Sequence, residues 1–537
     1  MTLRSVGKVM WGGVASLFAV GACTQLDTYA QVDDFGADGG PAAIDPSVSN
    51  ANAPVVPLTA IPAGATWARE SVHPLEWEVP KDLGALDDHV TVSVSDNGGA
   101  VYTPIDEVQL EERYFRWALP AQGGPKVRVR LTLHKLEGDV VKAVRHLDSP
   151  EVTLSPSQKK NYVFTRVAND APFGPRDGAG GVVFGGKMWL LGGWSPGRFP
   201  AQCANDVWSS VDGANWTMER PNTFVDPEKF DTTKDWEGRH FAGYHVFGGQ
   251  MWIVGGDPLQ GRYQTDSWSS TDGKTWTRRD VHTTEPRMIT VTDPASPYYG
   301  QTIVDTSSKP VEVAQFGKRT VPITGVFAGK LFLMGGQRMQ KYVDPEWPGA
   351  PATAFNDIWQ STDGASFSQV AVKGPVWSPR GFVSEAVEHD GRMWVIGGGL
   401  TDDPLAGRKE LTFNRDVWTT RDGVTWEENP TKAPFSPRFW HNVKVFDGRI
   451  WVINGYDGPV GGQGRQGDNL GDVWYSTDGT NWYEAKTPQD FVPRHAGTAW
   501  VHAGAIFIGS GNAIGADPKN PNESKWFADV WKMSPAP

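Results

Sequence analysis

The sequence predicts an all-β chain, a six-bladed β-propeller preceded by a small β-sandwich domain. Three observations predict it. An eleven-residue stretch recurs five times, from "DVWSSVDGANW" at Asp206 to "DVWYSTDGTNW" at Asp472, and a sixth copy breaks off as "DVWKMSPAP" at Asp529. A second stretch precedes each copy: an Arg, a strand with Val seven residues on, a Gly-containing turn, and a strand ending at Gly-Gly or a near variant. The 537 residues include 62 Gly, 40 Pro and 25 Trp, a composition of many turns and many large packing groups rather than of long helices.

Taken in chain order, residues 1–22 read as a signal peptide. Arg4 and Lys8 precede an apolar run from Val9 to Ala22 that is too short to span a bilayer. The end of the run, Val20-Gly21-Ala22-Cys23, resembles a bacterial lipobox. That resemblance implies cleavage before Cys23, acylation of its thiol, and a membrane link through the lipid; the alternative is an ordinary secretory signal. Thr24 implies outer-membrane sorting under the enterobacterial rule. Residues 23–57, rich in Ala, Asp, Gly and Pro without apolar periodicity, read as a tether. Cys203 is then without a partner in the chain and reads as an inert thiol.

Residues 58–153 alternate in "HVTVSVSD" and "KVRVRLTLH", and "NGG" stands before "AVYTPI" as a hairpin signal. With "YFRWALP" the pattern resembles a fibronectin- or immunoglobulin-like β-sandwich, which implies a spacer or adhesion module.

Residues 161–537 carry the repeats. Arg176, Arg239, Arg319, Arg380, Arg438 and Arg494 lead the first strands, and the second strands read "KMWLLGG", "QMWIVGG", "KLFLMGG", "RMWVIGG", "RIWVING" and "AIFIGSG". Together with Asp-Val-Trp and a Trp on the last strand, these resemble the kelch repeat, which implies four-stranded blades around an axis. The Trp of each "DVW" reads as a wedge between blades. The sixth blade ends before its outer strand, and an open edge there would invite aggregation. Phe164 in "NYVFTRV" stands twelve residues before Arg176, the spacing of Trp426 to Arg438 and Trp482 to Arg494. The spacing predicts that 161–167 closes the ring as the outer strand of the last blade.

Two of the four connections per blade are short and nearly constant. The other two vary: from the last Gly of the second strand to the Asp of "DVW" takes 13, 10, 21, 18, 17 and 18 positions. Antiparallel strands send all the variable connections to one face, where binding residues are expected. The longest, 277–318, reads as a lid or a small β excursion.

The net charge of −12 excludes a nucleic-acid footprint, which needs a basic surface. Six arginines near one mouth match an anion ring, but a side chain repeated in every blade reads first as scaffold. Residues that differ between blades are better candidates. For ligand binding these are His240, Tyr244, His245, Trp440, His441, Lys444 and His495, with Arg494 beside them. Glu385, with Arg380 or Arg438, is the candidate for proton transfer. "GYDGPVGGQGRQGDNLGD" offers Asp457, Asp468 and Asp472 as a weak Ca²⁺ candidate without an EF-hand spacing. No metal or other cofactor is expected.

Galactose oxidase, similar in its propeller, places a copper-binding Tyr where Trp440 stands here, so its chemistry is not expected. "STDGKTW" resembles the Asp-box turn of sialidases, which is structural. The reading is a cell-envelope lipoprotein that binds a glycan or an envelope or extracellular protein. The alternative is a metal-independent sugar-processing enzyme resembling N-acetylneuraminate epimerase.

Overall fold

The structure is a computed structural model. It describes residues 53–537 apart from 138–139, 196–202, 225, 227, 258–262, 286–287, 292–293, 298, 305–310, 342–350, 459–468 and 514–523. The expected signal peptide, Cys23 and the expected tether up to residue 52 lie outside the described residues.

Six four-stranded antiparallel sheets form the propeller. Blade 1 runs Gly180–Phe184, Lys187–Trp194, Cys203–Ser210, Thr217–Arg220. Blades 2 to 5 repeat the order, starting at Gly243–Phe247, Ile323–Phe327, Val387–His389 and Asn442–Phe446. Blade 6 takes Thr498–His502, Ala505–Gly509 and Val530–Pro535 from the C-terminal end and Tyr162–Ala168 from the start of the repeat region. In that last pairing Tyr162 lies opposite Pro535 and Phe164 opposite Met533, as the Phe164 spacing predicts.

The eleven-residue repeat is explained residue by residue. In blade 1 the Asp206 carboxylate accepts from Arg176 Nη1 at 2.8 Å and Nη2 at 3.1 Å, and the Trp208 indole donates to the same carboxylate at 2.9 Å. Arg176 Nη1 also donates to the Gly192 carbonyl at 2.7 Å. Every blade repeats the bidentate pair: Arg239–Asp266, Arg319–Asp357, Arg380–Asp416, Arg438–Asp472 and Arg494–Asp529. One guanidinium thus ties the first strand's entry, the second strand's end and the third strand's start. Downstream, Ser210 Oγ accepts from the Gly213 N–H, Asp212 Oδ1 accepts from the N–H groups of Ala214 and Asn215, and the Trp216 indole donates to the Gly213 carbonyl. This Ser-x-Asp-Gly turn recurs at Ser270, Ser361, Thr420 and Ser476.

The turn glycine has a second duty. A Cβ on Gly273 would stand 2.2 Å from the Trp189 ring of the preceding blade, and Gly364, Gly423, Gly479 and Gly213 meet Trp252, Phe332, Trp394 and Phe507 in the same way. Each second-strand aromatic therefore locks onto the next blade's turn. Blade 6 lacks this turn, and Tyr162 of the closing strand meets Trp451 edge-on at 4.6 Å instead. The "DVW" tryptophans also pack between blades: Trp268 shares a buried cluster with Trp189 and Val182 of blade 1.

Two features go beyond the repeat. Within 277–318, His282–Glu285 pairs with Val311–Ala314 and Met288–Thr290 with Thr302–Val304, so the insertion contains a small β excursion. Among residues 53–155, strands Val72–Glu76 and Tyr114–Ala118 pair with each other, and Val72 bridges to Trp482 at the outer edge of blade 5. The other strands of that region form a seven-stranded sheet whose core includes Trp67, Val90, Val129 and Leu131. Ala68 N–H donates to Asn481 Oδ1 at 2.7 Å, and Glu76 pairs with Arg415 and Lys432, which fixes the contact with the propeller.

The Arg–Asp pairs give a stability prediction. Breaking a buried pair leaves one charge uncompensated, so Asp416→Ala lowers the unfolding free energy by about 3–5 kcal/mol. The more exposed Lys187–Glu219 pair is worth less than about 1 kcal/mol, so Lys187→Ala has little effect. Urea denaturation of both variants checks the contrast.

Candidate functional site

The six arginines are scaffold by geometry. Arg176, Arg239, Arg380, Arg438 and Arg494 are almost without exposure, and Arg319 is close to it. Arg380 and Arg438 spend both terminal nitrogens on Asp416 and Asp472, and Arg494 on Asp529. Asp472 also accepts from the Trp474 indole at 2.7 Å, so its oxygens are committed, while Asp468 lies outside the described residues. Among the described residues no group of three or more His, Cys, Asp or Glu side chains is placed to hold a metal.

Two residues past each Arg the backbone turns left-handed. Phe241, Val321, Phe382, Trp440 and Ala496 have φ between 48° and 62°, with Gly178 at 56° in blade 1. Non-glycine residues pay roughly 1–3 kcal/mol for this conformation. The ring structure imposes it: Phe241 N–H donates to Gly178 O, Phe382 to Val321 O, Trp440 to Phe382 O, Ala496 to Trp440 O, and Gly178 to Ala496 O. These blade-to-blade hydrogen bonds girdle the axis where the first strands begin, on the side of the variable connections. The aromatic members meet at the centre. Phe241 and Trp440, from opposite blades 2 and 5, stack at 6.1 Å, and Phe382 meets Trp440 edge-on at 5.5 Å.

Along the first strands from this girdle lies an axial cavity lined by Tyr244, Glu385, Trp440, His441 and Lys444 among others. Glu385 and Lys444 form an ion pair across neighbouring blades. His245 Nε2 bonds Thr324 Oγ1 at 2.7 Å, and burial lowers its pKa to about 4, with Lys444 adding to this and Glu385 opposing it. His441 Nε2 donates to the Ile396 carbonyl at 3.0 Å; burial and then Arg438 lower its pKa to about 3. Burial raises the Tyr244 phenol above its usual range. The structure thus gathers Tyr244, His245, Glu385, Trp440, His441 and Lys444 about the axis, with the imidazoles neutral. Neither Arg380 nor Arg438 pairs with Glu385.

His240 and His495 fall elsewhere, on the rim. The residue after each Arg pairs with the residue after the second-strand glycines: Asp177 with Trp194, His240 with Asp257, Thr320 with Gln337, Gly381 with Gly399, Phe439 with Tyr456, and His495 with Asn512. This twelve-residue rim is unequal. Blades 4 and 5 present Gly381, Gly399, Phe439 and Tyr456, whereas blades 6, 1, 2 and 3 present most of the polar groups. No family model and no curated protein matches this chain. The site is therefore read from its own chemistry.

The polar arc centres on His240. Its Nδ1 lies 2.7 Å from Asp257 Oδ1, 3.0 Å from the Asp257 carbonyl and 3.6 Å from Cys203 Sγ. The alignment favours the carbonyl as hydrogen-bond acceptor, and Asp257 Oδ1 is held to the ring as an ion pair. Burial alone would lower the His240 pKa, but the Asp257 carboxylate overrides it and raises it well above the ordinary value. Burial raises the Cys203 thiol, so the neutral sulfur is a contact and not the counter-charge. Cys203 and Asp257 approach the same ring nitrogen, which is not the arrangement of a nucleophilic triad. Asp257 Oδ2 accepts from Thr320 Oγ1 at 2.8 Å. Burial raises the Asp177 carboxyl to about 7 against the opposing pull of His240 and Asn512. Trp194 lies 6.5 Å from His240 and 4.7 Å from Trp526, both indoles keeping partial exposure. His495 Nδ1 faces Asn469 Oδ1 at 2.8 Å and stacks on Trp440 at 4.8 Å; burial lowers its pKa to about 3.

Asp177, Asp257, Trp194 and Asn512 were not among the sequence candidates. The signal was present as blade-to-blade variation one position after the Arg and one after the glycines, obscured because these two positions are far apart in the chain.

A buried acid whose pKa is raised binds its proton in the folded state after the unfolded chain has released it. Asp177 therefore makes stability fall as pH rises from about 4 to about 7. Asp177→Asn removes that loss. Its stabilisation relative to wild type grows across this window, to roughly 2–4 kcal/mol near pH 8, as thermal melts at several pH values check.

Proposed function

We propose that this protein is a cell-envelope binding protein that takes a glycan at the rim of a kelch-type propeller, on the face of the variable connections. The observation that carries the reading is the partly exposed Trp194–Trp526 pair beside the buried Asp177, His240 and Asp257. Indole faces stack on sugar rings, and carboxylates and amides take hydroxyl groups. The polar groups differ between blades, as a ligand site requires and a scaffold does not. A buried acid that costs stability is retained more readily by function than by folding.

The anchor belongs to the same reading. Acylation at Cys23 would hold the chain to a bacterial outer membrane, and the fibronectin- or immunoglobulin-like segment 58–153 would act as a spacer. Its contact with blade 5 would fix how the rim is presented. An envelope or extracellular protein as partner is the other outcome of the binding test.

The enzyme alternative resembling N-acetylneuraminate epimerase draws less support. A sugar carboxylate needs a free guanidinium, and Arg380 and Arg438 hold Asp416 and Asp472. Glu385 is held in an ion pair by Lys444.

The test is a glycan array with the full-length chain in detergent, followed by calorimetry on the best glycan. Trp194→Ala weakens that glycan about tenfold or more, and Glu385→Gln leaves it unchanged. Binding that depends on Glu385 and not on Trp194 would refute the rim site.

A further inference from the structure

The rim cluster has an excess of acceptors. Asp177 Oδ1 and Asn512 Oδ1 are buried and have no hydrogen-bond donor, whereas Asp257 Oδ1 faces His240 Nδ1 at 2.7 Å. Asp177 is 6% exposed, Asp257 3% and Asn512 6%, so bulk water does not satisfy them. Leaving such an oxygen unpaired costs about 1–3 kcal/mol, more when it carries charge. Among the described residues no lysine or arginine pairs with either carboxylate, and His240 is the single cation of the group. His240 is committed to Asp257, so Asp177 has no cation of its own and keeps its proton up to about pH 7.

The local backbone packs tightly against this cluster. At the girdle position of blade 1 stands Gly178, where the other blades have Phe241, Val321, Phe382, Trp440 and Ala496. A Cβ on Gly178 would stand 2.9 Å from His240 Cβ and 3.3 Å from the Phe241 ring, so the side chain omitted here is the one that would crowd the His240 cluster. Trp194 is backbone-paired to Asp177 and stacks near His240.

We propose that the rim seats a protonated amine at Asp177, and that the glycan it binds is an amino sugar with an unacetylated nitrogen. This rests on the glycan reading above. An ammonium group carries three donors and one positive charge, which answers the unpaired acceptors and supplies the counter-charge against which Asp177 can ionise. A hydroxyl group supplies one donor and no charge, and an acetamide supplies one donor with added bulk. The sugar ring bearing the amine rests against Trp194, where its polarised C–H face and the nearby charge both favour an indole.

The experiment compares three hexasaccharides that differ only at the second carbon: chitosan hexamer with a free amine, chitin hexamer with an acetamide, and cellohexaose with a hydroxyl. Calorimetry with the full-length chain near pH 6 is expected to show chitosan hexamer binding at least about tenfold more tightly than the other two. Asp177→Asn is expected to erase that preference, bringing chitosan hexamer to the affinity of the other two. Trp194→Ala is expected to weaken all three. The wild-type comparison stands even if a variant fails to fold. Equal affinity for all three sugars, or a preference that survives Asp177→Asn, overturns the amine and leaves the glycan site intact. Binding of none of the three, with an empty glycan array, overturns both.

Discussion

A ring of radial sheets is stable only if its last sheet is complete, because one missing outer strand leaves a free edge and an unsealed seam. Here the seam is closed by Tyr162–Ala168, which pairs antiparallel with Val530–Pro535 although more than 360 positions separate them. Tyr162 reaches Trp451 and Tyr475 of blade 5, so the closing strand also provides the blade-to-blade contact that the missing Ser-x-Asp-Gly turn would have made. Once the ring is shut, every first strand begins at the same end. The left-handed residues of the girdle, the variable connections and the rim all follow from that common polarity. A local motif has become a global constraint: each Arg–Asp pair organises one blade, and closure aligns all six.

The architecture was legible because repeated chemistry leaves repeated spacing. The Arg, the Asp-Val-Trp and the Ser-x-Asp-Gly turn each recur at fixed distances, since each side chain must reach the same backbone groups in every blade. The closing strand was legible for the same reason, through the spacing of Phe164. The packing of Trp189 on Gly273, and of its counterparts, was not read from the sequence. The two residues belong to different blades, and the glycine looked sufficiently explained by its own tight turn. The strands Val72–Glu76 and Tyr114–Ala118 at blade 5 were equally out of reach, because that contact joins two regions with no common period.

The site was only partly legible. The choice of residues that vary between blades reached both the axial cavity and the rim, and named His240, His495 and Glu385. It did not separate the two places, because adjacent positions on one strand face different neighbours. Nor did it find Asp177, whose meaning lies in what surrounds it: the same acid on an exposed loop would be an ordinary charge. Burial, the absence of a donor on Oδ1, and the closeness of His240 are properties of the folded ring. The Arg residues show the converse, since their prominence in the sequence comes from structural repetition.

The most direct measurement concerns the seam. In the full-length chain, Val163 and Ser534 face each other across the closing pair. With Val163→Cys and Ser534→Cys combined, Cys203 being buried, mild oxidation is predicted to form a disulfide between the two new thiols in the folded protein. It should be detected by a joined peptide on proteolytic mapping and by a higher unfolding midpoint. If both thiols instead stay free and reactive toward an alkylating reagent while the protein remains folded, the ring is not closed here, and the common face on which the rim depends has no basis.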